Sequence, residues 1–360
     1  MLTRDFDYDL PAESIAQQPA PRGESRLLVM DQEGPERHRT VRDLPRLLRS
    51  GDLLVLNDTR VIPARLYGRR AGSGPDGGKI EILLTEKLGD RDWDALVKPG
   101  RRAKPGTGIT FEAANTGLTA EVIEKDPSGR HRLRFSEPVE PHLDRLGHVP
   151  LPPYIHRPDE SPDESTDRER YQTVYARQPG AIAAPTAGLH FSQDLLREIA
   201  AAGIEIAAVT LHVGLGTFKR VTADRVEDHR MERERWEVPE SAAEAIRRTR
   251  DRGGRVVAVG TTVVRTLESA ALAGGGTIAA GRGATELFIT PGFRFQAVDV
   301  LLTNFHLPQS TLLMLVSAFA GRERVLAAYA EAVREGYRFY SYGDAMLVLR
   351  AIRLARTAAP

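Results

Sequence analysis

Apolar and polar positions change their rhythm twice along this chain. Asp52-Leu-Leu-Val-Leu56 is a short unbroken apolar run that ends in the turn-prone Asn57-Asp58-Thr59, the pattern of a buried strand. From about Leu66 to Val149 short alternating runs take over: Lys79–Thr85, Trp93–Lys98, Gly108–Phe111, Leu118–Ile123 and His131–Phe135, separated by Gly, Pro, Asp and Asn. Five short strands at that spacing, with no helical period between them, predict a small antiparallel β-barrel or sandwich. After Phe191 helical and strand periods alternate. Helices are predicted at Gln193–Ala202, Ser241–Arg252, Val263–Ala273, Thr311–Ala320 and Val325–Glu335, with Gly203 and Gly253-Gly254 ending the first two. Strands are predicted at Ile204–Leu211, Arg255–Val259 and Val298–Thr303. This alternation indicates α/β layers. The expected organisation is a mixed α/β main domain, residues 1–65 and 150–360, with a small antiparallel β-barrel domain, residues 66–149, inserted into it. Between them lie a proline-rich run, Val149–Tyr154, and an acidic stretch, Asp159–Glu169, that reads as a solvated loop with carboxylates too irregular for a metal.

Composition narrows the classes. A chain of 360 residues is long for one core, and 41% hydrophobic with 28% charged residues is the make-up of a soluble globular protein. No run approaches the roughly eighteen apolar residues of a membrane span, and Met1–Gln18 lacks a secretory pattern, so a cytoplasmic location is expected. Cysteine is absent, which removes disulfides, thiolate nucleophiles and cysteine-ligated metals. The net charge is only +1, but Arg65 to Lys104 holds ten Lys/Arg against six Asp/Glu, densest at Lys98–Lys104. Charge alone favours a solvated arginine-rich surface there over a phosphate-facing one.

Four of the nine histidines sit in small, hydroxyl-rich settings: His190, His212, His229 and His306. Glycine lets a ligand approach the backbone, threonine offers a hydroxyl, and imidazole suits proton transfer near neutrality. For any one of them, a core histidine bonded to a carbonyl is an equally good reading. Repeated Thr/Gly neighbours shift the balance towards one site assembled from distant segments. Their spacings of 22, 17 and 77 residues match no short metal signature. Val256–Thr262 runs from a strand through Gly260-Thr261-Thr262 into a helix whose first turn offers free amides to an anion, with Arg265 and Glu268 on one helical face. Ordinary capping and a surface ion pair explain that segment equally simply. Gly214-Leu-Gly216 lacks the third glycine of a dinucleotide loop, and no phosphate loop is present. Tyr154, Tyr171, Tyr175, Tyr340 and Tyr342 flank polar segments and are candidates for stacking on bases.

Taken together, Ser25-Arg-Leu-Leu-Val29, Asn57-Asp-Thr-Arg-Val-Ile-Pro-Ala-Arg65, Leu151-Pro-Pro-Tyr154, Tyr171-Gln-Thr-Val-Tyr175, Ala184-Pro-Thr-Ala-Gly-Leu-His-Phe191, Val259-Gly-Thr-Thr262, Thr303-Asn-Phe-His-Leu-Pro308 and Tyr340-Ser-Tyr-Gly-Asp-Ala-Met346 resemble the S-adenosylmethionine:tRNA ribosyltransferase-isomerase family of queuosine biosynthesis. The match runs from Asp5 to Met346. It implies transfer and isomerisation of the ribosyl group of S-adenosylmethionine onto 7-aminomethyl-7-deazaguanine at the tRNA wobble position, giving epoxyqueuosine with release of adenine and methionine. It also implies an α/β domain with an inserted barrel and no metal or redox cofactor, S-adenosylmethionine being a substrate. The partners implied are S-adenosylmethionine and tRNA, with no membrane and no obligate protein partner.

The sulfonium acidifies the C5′ protons, so a neutral imidazole of His190, His212 or His306 is a candidate base. Asp58, Glu268 or one of these histidines is a candidate donor to departing adenine. Candidates for holding S-adenosylmethionine are Thr186, Gly188, Asn304, the Gly214, Gly216 and Thr217 loop, and Gly260, Thr261 and Thr262. Arg265 on the same helix would take the methionine carboxylate, with Glu268 beside it. Arg60, Arg65, Arg101, Arg102 and Lys104 are candidates for tRNA phosphates, Tyr154 and Tyr175 for its bases. After Asp228-His229-Arg-Met231 the family usually carries a further histidine, where this chain has Glu232. Two other classes compete. An S-adenosylmethionine-dependent RNA methyltransferase would need a glycine-rich loop after its first strand, and a non-catalytic RNA-binding module would not need the His/Thr/Gly segments.

Overall fold

The computed structural model describes residues 1–31, 34–72, 78–111, 117–157, 164–214 and 220–350. The chain begins with strands β1 (Arg26–Met30) and β2 (Arg37–Thr40), a short helix α1 (Leu44–Leu47), and strands β3 (Leu53–Asn57) and β4 (Thr59–Val61). It continues through β5 (Arg65–Arg70), β6 (Lys79–Lys87), β7 (Asp92–Lys98), β8 (Gly108–Thr110), β9 (Thr119–Lys125), β10 (Arg130–Phe135), α2 (Leu143–Leu146) and β11 (Gly147–His148). Helix α3 (Glu164–Arg170) and strand β12 (Gln178–Ala181) lead into α4 (Gln193–Ala201), β13 (Glu205–Leu211), β14 (Glu234–Val238), α5 (Glu240–Asp251) and β15 (Val256–Val259). The chain closes with α6 (Thr261–Ala273), β16 (Gly281–Thr285), β17 (Val300–Asn304), α7 (Thr311–Ala320), α8 (Arg322–Arg334) and β18 (Ala345–Leu349).

Nine strands form the main sheet in the order β16-β14-β13-β3-β15-β17-β18-β1-β2. Its centre is parallel: β3 pairs in that sense with both β13 and β15, and β15 with β17. The central strands β3, β15 and β17 are buried at every position, and apolar up to Asn57 and Thr303 at the carboxyl ends of β3 and β17, because the sheet is covered on both faces. Successive side chains go to opposite sides. Leu53 and Val55 of β3 join the core under α5 to α8, whereas Leu54 and Leu56 join the core under α1 and α4. Strands β1 and β18 divide in the same way. Ser192 caps α4 by accepting a hydrogen bond from the Leu195 amide at 3.1 Å, and leucines 195 and 196 with Ile199 then supply its buried face.

The second sheet runs β11-β5-β6-β7-β10-β9-β8, and pairing of β5 with β8 closes six of these strands into an antiparallel barrel. Its interior is Ile80, Ile82, Leu84, Ala95, Val97, Leu133 and their neighbours, every second residue of each strand. All five strands expected here are present. The closing strand β5 escaped the reading because Arg65-Leu-Tyr-Gly-Arg-Arg70 is mostly polar, with only Leu66 and Gly68 buried. The barrel strands follow β4 shortly after the carboxyl end of β3, and barrel residues on β5, β6 and β7 share a cleft with residues 150–153, Ile182 and Gly214 of the main domain.

The acidic stretch is a correction. Residues 164–170 form α3, and Asp167 is buried and held by the Arg157 guanidinium through two contacts of 2.8 Å. A carboxylate that is matched in this way folds inward, which a count of charges cannot reveal. Residues 159–163 of that stretch lie outside the described residues.

Candidate active site

In an open α/β sheet the segments leaving the carboxyl ends of parallel strands converge on a crevice. Here those ends carry the unusual sequence motifs. The crevice is walled by Ala184–Ala187, by Gly260–Thr262 after β15, and by Thr303–Leu307 at the end of β17. Tyr154, Tyr340 and Ser341 close it from the side, and Val213 and Ser310 complete the wall. Gly260 stands at φ +89, a conformation that side chains rarely adopt, and this turn brings the first residues of α6 to the crevice. Helix α7 also begins there. Its cap Ser310 accepts from the Leu313 amide at 3.2 Å and donates to the Leu307 carbonyl at 2.8 Å. Two helix N-termini therefore bring positive dipole ends to one cavity, whose lining residues include no Asp or Glu.

Asn304 sits at the centre of the wall. Its side-chain amide donates to the carbonyls of Tyr340, at 3.1 Å, and Asp344, at 3.4 Å, and to His190 Nε2 at 3.1 Å. Carbonyls accept only, so these contacts decide which way the amide points. Its Oδ1 is then buried with no hydrogen-bond partner in a residue only 2% exposed. An orphan acceptor of this kind on a cavity wall is an invitation to a donor group. The same contacts settle the His190 tautomer. Nε2 accepts from Asn304, so Nδ1 carries the hydrogen and donates to Ser25 Oγ at 2.9 Å. Burial pushes the His190 pKa down to about 4, helped by Arg338 and Arg22.

His306 faces the cavity itself. Its Nε2 is paired with Thr303 Oγ1 at 2.8 Å, its backbone carbonyl accepts from the Tyr8 hydroxyl at 2.6 Å, and its amide donates to the Tyr329 hydroxyl at 3.0 Å. Burial pushes its pKa down to about 3, so the ring is uncharged at neutral pH. Tyr340 lies across from it at φ +73, held by its amide's bond to the Phe305 carbonyl, with its ring 4.3 Å from that of Tyr154. The Tyr154 hydroxyl is fixed by Ser341 Oγ at 2.5 Å.

The remaining sequence candidates separate from this group. His212 does not line the cavity; its Nδ1 is paired with Thr59 Oγ1 at 2.8 Å on the far side of Val213, and the ring packs against Gly180. Burial lowers its pKa, with the positive charge of Arg235 as a second cause. Asp58 accepts from Thr210 Oγ1 at 2.7 Å, near His212. Thr186, Gly260, Thr261, Thr262 and Asn304 are wall residues. Gly188 is not: a Cβ there would meet the Tyr175 hydroxyl at 2.0 Å, so this glycine makes room for a tyrosine packed behind the wall. Tyr175 is thereby half-buried and turned inward, with its hydroxyl buried.

Arg265 and Glu268 are used elsewhere. Arg265 is buried in an ion pair with Glu234, whose other oxygen accepts from the Gly214 amide at 2.9 Å. Glu268 accepts from the amides of Gln296, Ala297 and Val298 at 2.8, 3.0 and 3.1 Å. The expectation that Arg265 takes a carboxylate is therefore replaced by a structural pairing. Three residues apart on α6 put both on one face, but that face is the packed one. Gly216 and Thr217 lie outside the described residues. Arg60, Arg101, Arg102 and Lys104 are exposed, the last three on the barrel, and Arg65 is half-buried. The sequence reading missed Tyr8, Ser25 and Ser310. Ser310 carried a signal, a serine one residue before an apolar helix; Ser25 and Tyr8 act through contacts 165 and 298 residues away, which no local pattern announces. Among the described residues no group of three or more His, Asp or Glu is placed to hold a metal ion.

A family model described as queuosine biosynthesis protein matches residues 3–348. The chain belongs to this family. The S-adenosylmethionine:tRNA ribosyltransferase-isomerase of Gloeobacter violaceus is 57% identical over 352 residues, covering 97% of this chain and 96% of that relative. The protein of the same name from Moorella thermoacetica is 54% identical over 354 residues, covering 97% of this chain and 100% of the relative. The crystal structure of S-adenosylmethionine tRNA ribosyltransferase from Thermotoga maritima is similar with 40% identity and a TM-score of 0.53, covering 96% of this chain and 100% of that one. Glu232, at the position where the resemblance implies a histidine, is half-buried near Gly214 and is not a wall residue of the crevice. Glu232→His is accordingly expected to change turnover by less than about threefold. A gain of several hundredfold would make that position part of the chemistry.

Proposed function

We propose that the protein transfers and isomerises the ribosyl group of S-adenosylmethionine onto the aminomethyl group of 7-aminomethyl-7-deazaguanine in tRNA, giving epoxyqueuosine and releasing adenine and methionine. One observation carries the assignment of the donor to the crevice: Asn304, whose buried Oδ1 has no hydrogen-bond partner, lines it together with Phe305, Tyr154 and Tyr340. Aromatic walls hold a planar base, and the acceptor takes the 6-amino group of adenine. A neutral amide oxygen suits that neutral donor; an ammonium would call for a carboxylate. The methionine carboxylate is placed at the N-termini of α6 and α7.

The chemistry follows from the same arrangement. In the tautomer that gives its Nε2 hydrogen to Thr303 Oγ1, His306 offers the Nδ1 lone pair to the C5′ proton, which the neighbouring sulfonium acidifies. An imidazole that stays uncharged does not repel the sulfonium. His190, whose Nε2 is occupied by Asn304, acts as the group that aims Asn304. Across the reaction, the ribose–adenine C–N bond, one ring C–O bond and the C5′–S bond break. A C–N bond from the aminomethyl group, a ring-closing C–C bond to C5′ and an epoxide C–O bond that displaces methionine form. The amine and C5′ each lose a proton, one of which goes to adenine. The balance requires no other small-molecule substrate. The described walls enclose only about 50 Å³, against roughly 300–1,000 Å³ for a typical ligand pocket, so entry of the nucleoside displaces a wall. Arg60, Arg101, Arg102 and Lys104 are proposed to meet tRNA phosphates, and the tRNA substrate places the reaction in the cytoplasm. No helix among the described residues is long and apolar enough to cross a membrane.

The test is incubation with S-adenosylmethionine labelled in its methyl group and tRNA carrying the precursor base. Label in free methionine, free adenine and an epoxyqueuosine nucleoside by mass spectrometry are expected. Label in RNA with S-adenosylhomocysteine would establish a methyltransferase instead, and no turnover with retained RNA would leave a binding module.

A further inference from the structure

A second cleft, of about 210 Å³, lies between the barrel and the main domain. Its barrel side is the outer face of β6 and β7. Glu81 stands opposite Lys98 and Leu83 opposite Leu96 in that pairing, so the four side chains share one face. The alternate residues Ile80, Ile82, Ala95 and Val97 fill the barrel. An outer face is expected to be polar, yet Leu83 and Leu96 are turned towards the main domain across an unfilled gap. Arg65 borders the cleft, donating to the Leu151 carbonyl at 3.1 Å, with its Nε buried, lacking a hydrogen bond, and 3.6 Å from the Glu81 carboxylate.

This cleft adjoins the crevice through continuous chain. Pro150 to Pro153 line it and the next residue, Tyr154, lines the crevice. Gly214 lines it and Val213 the crevice; Ile182 lines it and Ala184 the crevice. The Ile182 amide donates to the Val213 carbonyl at 3.2 Å, which ties two of these segments into one partition. Three stretches of backbone thus have the first cavity on one side and the second on the other.

We propose that this second cleft is the acceptor subsite, which takes a guanine-type base turned out of an RNA loop. The proposal rests on the ribosyl-transfer reading. Single-stranded bases are recognised by stacking and by hydrogen bonds to their Watson–Crick edge. A guanine-type edge carries two adjacent donors, ring N1–H and the 2-amino group, which a carboxylate accepts as a pair. Glu81 is that carboxylate, Lys98 faces the neighbouring carbonyl oxygen, and Leu83, Leu96 and the prolines contact the ring. An adenine edge offers an acceptor where Glu81 needs a donor. With the 2-amino edge on the barrel, the 7-aminomethyl group points away from it, towards the partition and the donor's ribose.

The test uses the full-length protein and a stem-loop RNA carrying the precursor base. Glu81→Ala is expected to raise the KM for this RNA at least tenfold while the affinity for S-adenosylmethionine, measured by calorimetry, stays within twofold. Leu83→Trp, which fills the slot, is expected to do the same. Free 7-aminomethyl-7-deazaguanine is expected to compete with the RNA on the wild-type enzyme and to lose that effect in Glu81→Ala. Unchanged RNA KM in both variants overturns the proposal, and so does a parallel loss of S-adenosylmethionine affinity, which would make the cleft part of the donor site or of the scaffold. Failure of the underlying reading shows separately, in wild-type protein that releases no adenine.

Discussion

His306→Ala is expected to lower kcat by roughly a hundred- to ten-thousandfold, the usual contribution of a positioned base, while S-adenosylmethionine affinity changes less than about threefold. Four observations favour this residue over the other imidazoles. It lines the crevice, and its Nε2 is held by Thr303 Oγ1 at 2.8 Å. His190 has both nitrogens engaged by Ser25 and Asn304. His212 lies beyond Val213 with its Nδ1 on Thr59. The pH profile separates this account from one based on a solvent-exposed histidine. The active form of His306 is the neutral ring, and burial holds its pKa at about 3. Activity should therefore show no acid limb near 6.5, the ordinary histidine value. Retention of more than a tenth of wild-type kcat by His306→Ala, or an acid limb centred near 6.5, would remove His306 from the role.

Folding stability is expected to fall steeply between pH 6.5 and 4. His190 and His306 have folded-state pKa values of about 4 and about 3, below the unfolded value of 6.5. A depressed histidine binds its proton more readily in the unfolded chain, so acid favours unfolding from pH 6.5 downward and the loss levels off below the folded value. Each unit of pH costs about 1.4 kcal/mol per histidine, so near pH 4.5 the pair removes about 5 kcal/mol. That is comparable to the whole stability of a modest domain, roughly 5–15 kcal/mol. Burial raises the carboxyls of Glu268 and Asp299, which act in the opposite sense, so the decisive quantity is a difference between proteins. Denaturant unfolding of wild type and His190→Gln at pH 7, 6, 5 and 4.5 should show the variant losing about 1.4 kcal/mol less per pH unit. Equal slopes would contradict the buried, neutral assignment of His190.

The elements that could be read in advance were those whose pattern is local. Residues 53–56, 256–259 and 300–302 are unbroken apolar runs because both sheet faces are covered, and the barrel strands alternate because one face looks outward. What escaped depends on partners far along the chain. Strand β18 pairs with β1 across more than three hundred residues, and β5 reads as polar because its outer face is charged. Asp167 is buried only because Arg157 meets it.

The site was legible in its segments and not in its division of labour. The Thr/Gly/His motifs at Ala184–Phe191, Val259–Thr262 and Thr303–Pro308 do meet at one edge, since all leave the sheet there or cross it. Which histidine has a free lone pair is a matter of hydrogen bonding through Asn304, Ser25 and Thr303, and no spacing encodes that. Arg265 seemed available because helical geometry fixes its face, but the presence of Glu234 on that face is a tertiary fact. The second cleft was invisible because Leu83 and Leu96 look like ordinary strand residues until the barrel is placed against the main domain.

The central claim, that the donor lies in the crevice and the RNA base across the partition, is tested most directly by a crystal structure with S-adenosylmethionine bound. Adenine should lie with its 6-amino group within hydrogen-bond reach of Asn304 Oδ1, and C5′ within about 3.5 Å of His306 Nδ1. Adenine between Leu83 and Leu96, or a nucleoside touching neither Asn304 nor His306, would contradict it.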